Sequence, residues 1–192
     1  DVRGGRGTLW PSFTLGRRDY DGWQSTVWRA RLRYVPADLW RIDAETGSGI
    51  IDTISALRNE VNFRDVSVGV TYTPTPRWSF AGSVARLEFD DDNQRNRVAW
   101  RGDYALWTRP QIRLGIEGNR FENSRPWDIN RANRGYYNPD RYLEYRAFMS
   151  IYDDIRPWSY YAKAAFGRYD ETDGDGNGAS GRNYLLEGWV AY

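Results

Sequence analysis

The sequence contains no cysteine and no histidine, and Lys163 is its single lysine. Without cysteine the chain can form no disulfide and has no thiol for catalysis or metal binding. Without histidine it lacks the usual general base of nucleophile–base pairs, which excludes the common forms of serine-type hydrolysis. Hydrolysis by carboxylates alone would have to use acids that lie in predicted loops and turns, where solvated acids are ordinary: Asp90, Asp91, Asp92, Asp153 and Asp154. We therefore expect no enzyme activity and no cofactor.

Long apolar runs are also missing, and no stretch approaches the 18 apolar residues of a transmembrane helix. The net charge of +1 gives no strong field, so no nucleic-acid partner is expected. By contrast, 10 tryptophans and 14 tyrosines are unusually many for a chain whose mean hydropathy is −0.79. Abundant aromatics with low hydropathy are typical of transmembrane β-barrels, whose lumen is polar. A soluble β-sandwich also alternates polar and apolar residues, and stays open as an alternative.

The stretch 25–45 shows the pattern that most of the chain repeats. Trp28, Ala30, Leu32 and Tyr34 alternate with three arginines. Successive side chains of a strand point to opposite faces, so this period of two predicts a strand with one apolar and one charged face. After a turn at Pro36 the alternation resumes, which predicts a hairpin.

The same pattern predicts ten strands of roughly membrane-spanning length. Their expected ranges are 8–17, 24–35, 39–46, 63–73, 77–89, 97–107, 111–120, 141–151, 158–168 and 182–192. The apolar phase in the fifth strand shifts from Val84 to Ala85, which predicts a β-bulge there. Apolar residues at helical spacing within 47–62 suggest a short helix, or an irregular loop that packs against the barrel mouth.

Short proline-bearing turns alternate with longer polar loops along the chain, as on the two rims of an outer-membrane barrel. Aromatic residues flank the short turns and predict a girdle at one membrane interface: Tyr34, Trp40, Tyr72, Trp78, Trp107 and Trp158. We therefore predict an all-β fold, an antiparallel up-and-down transmembrane β-barrel in the bacterial outer membrane. Residues 1–192 are expected to form one barrel domain, the C-terminal part of a longer exported protein.

The polar face of the predicted strands carries mixed charges that are expected to line the lumen. These residues are Arg29, Arg31, Arg33, Arg41, Asp43, Glu45, Arg101, Asp103, Arg113, Glu117, Glu144, Arg146, Tyr161, Lys163 and Glu187. Opposite charges can pair across strands and hold the barrel together, and they can also line a hydrated channel. Tyr161, with Trp189, offers ring faces for a sugar.

Asp173, Asp175 and Asn177 match the first half of a calcium-binding loop, with oxygen ligands at alternate positions and glycines between them. The twelfth position of that motif is Tyr184 instead of the bidentate glutamate. A flexible extracellular loop is therefore the favoured interpretation, and no metal site is assigned.

The segment Gly135-Tyr136-Tyr137-Asn138-Pro139-Asp140-Arg141-Tyr142-Leu143 is the most distinctive local string. It resembles the segment that precedes a strand in the C-terminal barrels of bacterial exopolysaccharide-export porins, the cellulose or poly-N-acetylglucosamine type with a tetratricopeptide-repeat arm. The resemblance is specific over about 133–192. It implies a polysaccharide exit pore without chemistry, although that family's barrel has about sixteen strands and ten are found here. A turn with interfacial tyrosines is the alternative interpretation of the string.

The function expected from these observations is a porin-like channel that exports a hydrophilic exopolysaccharide. Its expected partners are outer-membrane lipid, the polymer and periplasmic export components. Two alternatives remain open: a structural or adhesive barrel with a plugged lumen, and the soluble carbohydrate-binding β-sandwich.

Overall fold

The computed structural model describes residues 7–127 and 135–192, and strands dominate it. The ten strands are β1 Thr8–Tyr20, β2 Trp23–Ala37, β3 Trp40–Ile50, β4 Asn62–Tyr72, β5 Trp78–Phe89, β6 Gln94–Thr108, β7 Gln111–Asn123, β8 Arg141–Ile155, β9 Trp158–Thr172 and β10 Gly178–Ala191. The one described helix, α1, spans Ile54–Arg58. All ten predicted strands and the short helix are confirmed, and most strands extend a few residues further toward the long loops than predicted.

The strands form a single antiparallel sheet in the order β1 to β10, each paired with its neighbours in sequence. This up-and-down topology confirms the predicted fold class, and the β-sandwich alternative is wrong because it would require two packed sheets. Within 7–127 and 135–192, no pairing joins β1 to β10, so the described sheet is not closed. Among the same residues, no helix is long and apolar enough to cross a membrane.

The two ends of the sheet differ in the length of the connections between strands. At the end that we call the short-turn rim, few residues join β2 to β3, β4 to β5, β6 to β7 and β8 to β9. The opposite end, the long-loop rim, carries the connections 51–61, 90–93, 124–140 and 173–177. One tight turn also lies at that rim, where Asp21 and Gly22 join β1 to β2 with φ of 47° and 83°. These left-handed values suit a two-residue hairpin turn, for which Gly22 is well adapted.

The cross-strand register fixes which side chains share a face. One face, the outer face, carries a continuous apolar surface, for example Val68 opposite Val84 and Val84 opposite Val98. The other, the inner face, carries charged residues of opposite sign in register, for example Arg31 opposite Glu45. Since partners in register point the same way, the assignment extends from strand to strand across the whole sheet.

The predicted β-bulge in β5 is wrong, because the pairing of β5 with both neighbours runs without a shift through Val84 and Ala85. The observed irregularities lie between Tyr34 and Ala37 of β2 and between Ala105 and Trp107 of β6. The apolar phase of β5 changes for another reason. Beyond Val84 the strand continues to the long-loop rim, where the inner face becomes apolar.

Leu87 and Phe89 belong to that apolar inner surface. Phe89 is buried with Ala56 of α1, Val61 and Tyr136, and Leu87 packs against the same cluster. Thr53 caps α1, since its side chain accepts from the Ala56 amide. The long loops therefore fold over the inner face and form a small core at this rim, as predicted for the apolar residues of 47–62.

Candidate functional site

All fifteen residues proposed as pore-lining lie on the inner face, by the register of their strands. They come from β2 and β3 at one side of the sheet and from β6 to β10 at the other. The register does not itself assign them a role in transport. It does place every one of these charged or hydroxyl-bearing side chains opposite the apolar face.

The first charge cluster lies on β2, β3 and β4. Arg31 contacts Glu45 at 2.5 Å, and Arg33 contacts Asp43 at 2.8 Å. Arg41 contacts the second oxygen of Asp43 at 3.0 Å. Arg29 also pairs with Glu45 and reaches Asp65 of β4 at 3.2 Å. Four arginines and three carboxylates therefore form ion pairs on these strands.

The second charge cluster lies on β6 to β9. Asp103 is only 4% exposed in its side chain and accepts hydrogen bonds from Arg101, at 2.8 Å, and from Arg113. Lys163 donates to both carboxylate oxygens of Glu117, at 2.8 and 2.9 Å.

The ion pairs of the second charge cluster extend from Glu117 of β7 to two residues of β8, Arg146 and Glu144. Arg146 contacts Glu117 at 3.0 Å and Glu144 at 3.9 Å. Glu144 in turn accepts from the Tyr142 hydroxyl at 3.0 Å and from the Asn183 amide at 2.6 Å. The carboxylates and the ammonium buried on this face thus have partners of opposite charge, whereas the Nε atom of Arg146 is buried without a hydrogen-bond acceptor among the described residues.

Phe148 lies at the centre of the second charge cluster and is 4% exposed. The Arg101 guanidinium lies 4.3 Å from its ring centroid, and the Lys163 ammonium lies 4.9 Å from it. Both distances fit cation–π contacts. Gly115 of β7 leaves the space, because a Cβ there would lie 2.6 Å from the Phe148 ring. One aromatic ring thereby holds two of the cations in place.

Aromatic rings occupy both ends of the inner face. Toward the short-turn rim, Trp189 stacks near Tyr161, with centroids 6.2 Å apart, and lies 6.2 Å from Tyr152. The Tyr161 hydroxyl donates to Glu187 at 3.1 Å. Toward the long-loop rim, Phe121 and Tyr142 stack at 5.1 Å. Flat rings beside hydrogen-bonding groups are suited to contacts with sugar rings.

An open cavity of about 560 Å³ lies on the inner face of the sheet. Side chains from both charge clusters line it, including Asp43, Arg101, Glu117 and Lys163, and Glu187 of β10 lines it from the far side. Strands that are distant in sequence thus face a common polar space.

Tyr136 links the loops at the long-loop rim and is 5% exposed. Its hydroxyl donates to Asp91 at 2.8 Å and accepts from the Asn93 amide at 3.0 Å. Asn93 also donates to Asn138 at 2.8 Å, and the Thr53 hydroxyl donates to the Gly135 carbonyl at 2.6 Å.

Burial, followed by the hydrogen bond to Asp91, raises the pKa of the Tyr136 hydroxyl. The interfacial-tyrosine interpretation is therefore wrong for Tyr136, whose ring is packed inside the loop cluster.

The six aromatics predicted at the membrane interface all lie on the outer face near the short-turn rim. Trp40 stacks on Tyr72 at 4.3 Å, and Trp78 lies 4.8 Å from the ring of Tyr104. Trp158 lies 4.8 Å from the ring of Tyr192. Tyr104 and Tyr192 thus extend the predicted set, while its membrane role stays a prediction.

The loop that resembles a calcium site is held together by hydrogen bonds between its own residues. Asp173 accepts from the backbone amides of Asp175 and Asn177, at 3.0 and 2.8 Å, and from the Asn177 side chain at 2.9 Å. The Asn177 side chain, followed by the backbone amides, lowers the pKa of the Asp173 carboxyl. In the described parts of the chain, no three acidic, histidine or cysteine side chains come together as a metal site.

Sequence reasoning missed Asp65 and Phe148, although the period of two places both on the inner face. Asp65 is two residues before Ser67 and pairs with Arg29. Phe148 lies between Arg146 and Ser150, and its apolar ring on a charged face was not expected. Arg97 was missed as well, and it donates to Asn119 at 2.6 Å. The alternation itself was the signal that could have identified all three.

The sequence matches the family described as the PgaA membrane beta barrel domain over residues 6–177. The chain belongs to this family. It is a membrane β-barrel domain of the bacterial outer membrane, which confirms the predicted location and the resemblance to export porins. No curated protein sequence matches the chain.

A solved structure described as a bacterial polysaccharide outer membrane secretin has the same fold, with a TM-score of 0.74 and 16% sequence identity. The alignment covers 98% of this chain and 64% of that one, so the chain spans less than two thirds of that structure's length. At this identity the likeness shows the fold alone.

Proposed function

We propose that the inner face forms part of a hydrated path by which a hydrophilic exopolysaccharide crosses the outer membrane, without chemical change. The observation that carries the proposal is the separation of faces: fifteen polar and charged residues point inward, and an apolar surface with terminal aromatics points outward. The family and the polysaccharide secretin of similar fold support a transport barrel rather than an enzyme. The family's periplasmic export components would be its partners.

The chemistry of the inner face favours a polymer that is neutral or weakly charged. Cations and carboxylates alternate and pair over 2.5 to 3.9 Å, so neither sign is left in large excess. Such a surface can exchange hydrogen bonds with hydroxyl groups without binding one ion strongly. Trp189 and Tyr161 would supply stacking contacts for sugar rings.

Ion selectivity tests the proposed path. The intact protein carrying Arg31→Leu and Arg33→Leu should pass cations more readily than the wild type, because Glu45 and Asp43 would keep their charge without these cations. The reversal potential across a planar bilayer under a salt gradient measures this change. Arg86→Leu, on the outer face, is the matched control. An unchanged reversal potential in the double variant would contradict the assignment of these residues to an open path.

A plugged barrel with a structural or adhesive role is the second candidate, and the loop cluster around Tyr136 favours it. Four buried residues from α1, the following loop, β5 and the 124–140 connection meet at the inner side of the long-loop rim. If this cluster obstructs the lumen, Tyr136→Ala should raise the single-channel conductance. Equal conductance of wild type and variant would show that the cluster does not obstruct the lumen.

A further inference from the structure

Two arginines face each other on the outer face near the long-loop rim. Arg168 of β9 and Arg182 of β10 are direct partners in register, and both side chains are exposed. Direct partners on one face have Cβ atoms about 5 Å apart, so like charges there oppose pairing of the strands. Among the described cross-strand pairs of the outer face, this is the one in which two charges of the same sign meet.

Two neighbouring arginines of this rim, Arg120 and Arg141, have an acidic partner, whereas Arg168 and Arg182 have none among the described residues. Arg120 contacts Glu122 at 2.5 Å, and Arg141 contacts the same carboxylate at 3.7 Å. Within 7–127 and 135–192, no ion pair or side-chain hydrogen bond involves Arg168 or Arg182. Asp170 lies two residues further along β9 on the same face, opposite Ser180, without contacting Arg168 as an ion pair. Two guanidinium groups are therefore available to one external anion.

The depth of the pair places it at the membrane border. Arg168 is ten residues from Trp158, which is predicted to lie at the opposite interface on the same strand. Ten residues at about 3.3 Å each, tilted by about 40°, rise about 25 Å, which is the height of the apolar band of such barrels. The pair is thus expected to lie where lipid headgroups meet the barrel on the side of the long loops.

An apolar surface continues directly from the arginine pair toward the membrane interior. Phe166 and Tyr184 form the next cross-strand pair, with ring centroids 5.2 Å apart. Beyond them, on the same face of β10, the edge strand of the described sheet, Leu186 is 84% exposed and Val190 is 69% exposed. A ligand that reaches the two arginines with its headgroup can therefore lay an acyl chain along this surface.

We propose that Arg168 and Arg182 bind the phosphate group of an outer-leaflet lipid whose acyl chain packs on Phe166, Tyr184 and Leu186. Guanidinium groups donate paired hydrogen bonds to phosphate oxygens, and the phosphate removes the repulsion between the two cations. The apolar surface below them favours a lipid over free phosphate. The site lies on the outer face and is independent of the polymer path.

Native mass spectrometry of the intact protein in neutral detergent tests the site, with dioleoyl phosphatidic acid as the lipid phosphate and dioleoyl phosphatidylcholine as its control. The wild type should retain phosphatidic acid in preference to phosphatidylcholine. The double variant Arg168→Gln/Arg182→Gln should lose about tenfold or more in affinity for phosphatidic acid, since charge-assisted hydrogen bonds to the phosphate are removed. Arg120→Gln/Arg141→Gln, which removes arginines that already contact Glu122, is the matched control and should bind as the wild type does.

Three results would overturn the proposal. The first is equal retention of phosphatidic acid by the wild type and the Arg168/Arg182 variant. The second is equal loss of binding in both double variants. The third is displacement of the lipid by inorganic phosphate at equal concentration, which would indicate a site for a free anion. A heat-induced mobility shift of each variant on a gel verifies that it is folded. Asp170→Asn should increase retention of phosphatidic acid, because it removes a negative charge from the same face of β9.

Discussion

The side-chain amide of Asn93 donates a hydrogen bond to the Tyr136 hydroxyl over 3.0 Å, and this contact joins two loops that lie 43 residues apart in sequence. Asn93 is 1% exposed and Tyr136 is 5% exposed. A buried polar contact of this kind specifies how the loops pack, because either partner alone would be left unsatisfied.

We predict that Tyr136→Phe destabilises the loop cluster. The variant keeps the ring but removes the hydroxyl that donates to Asp91 and accepts from Asn93. Loss of a buried hydrogen-bonding group costs about 1–3 kcal/mol in the free energy of unfolding. The temperature at which the folded band disappears on a gel should fall by several degrees. Tyr137→Phe is the control, since Tyr137 is 52% exposed and should have a much smaller effect. Equal stability of the Tyr136 variant and the wild type would contradict the structural role of this hydroxyl.

The same residue predicts a dependence of stability on alkaline pH. The pKa of Tyr136 is raised in the folded protein, first by burial and then by its hydrogen bond to Asp91. Its contribution to stability is therefore fully present below the unfolded pKa of about 10 and is lost as the pH rises above that value. The stability difference between wild type and Tyr136→Phe should shrink as the pH rises from about 9 to about 11, through the unfolded pKa of tyrosine. A difference that stays constant over this range would show that the hydroxyl does not titrate with folding.

The period of two was sufficient to assign the faces, since all fifteen inner residues and all six aromatics lie on the predicted side of the sheet. It could not predict how the long loops return over that face. The shift of apolar phase after Val84 therefore predicts a bulge, whereas the structure shows Phe89 in contact with Ala56, Val61 and Tyr136, which are distant in sequence. Contacts of this kind depend on how the long loops pack on the inner face, and no local pattern encodes them.

Contacts between strands that are not neighbours could not be predicted from the sequence pattern either. Lys163 is the register partner of Ser150, yet its ammonium reaches past β8 to Glu117 on β7. Alternation gives the face of each residue, but not the direction in which a long side chain extends along that face. The length and flexibility of lysine decide the partner here.

Gly115 provides a test of packing on the inner face. A Cβ at this position would lie 2.5 Å from the Gly102 carbonyl oxygen and 2.6 Å from the Phe148 ring. Gly115→Ala should therefore displace Phe148 and lower the free energy of unfolding by about 1–3 kcal/mol, the usual cost of overpacking. Gly69→Ala is the matched control on the same face, because its nearest contact would be an ordinary 3.5 Å to Ser83. Thermal unfolding measures both variants, and equal midpoints would contradict the close packing at Gly115.

The pair of Lys163 and Glu117 predicts how the second charge cluster contributes to stability. Lys163 is 7% exposed and Glu117 is 13% exposed in their side chains, so water cannot replace a lost partner easily. Glu117→Gln should lower the free energy of unfolding by about 3–5 kcal/mol, because it leaves the buried ammonium without its counter-charge. The comparison is Glu88→Gln, whose ion pair with Arg86 has side chains 56% and 47% exposed. That variant should change stability by about 1 kcal/mol or less. Urea-induced unfolding of the two variants in the same detergent measures the difference. Equally small losses of stability in Glu117→Gln and Glu88→Gln would show that water solvates Lys163 in the variant. That result would contradict the burial of the Lys163–Glu117 pair beside Phe148.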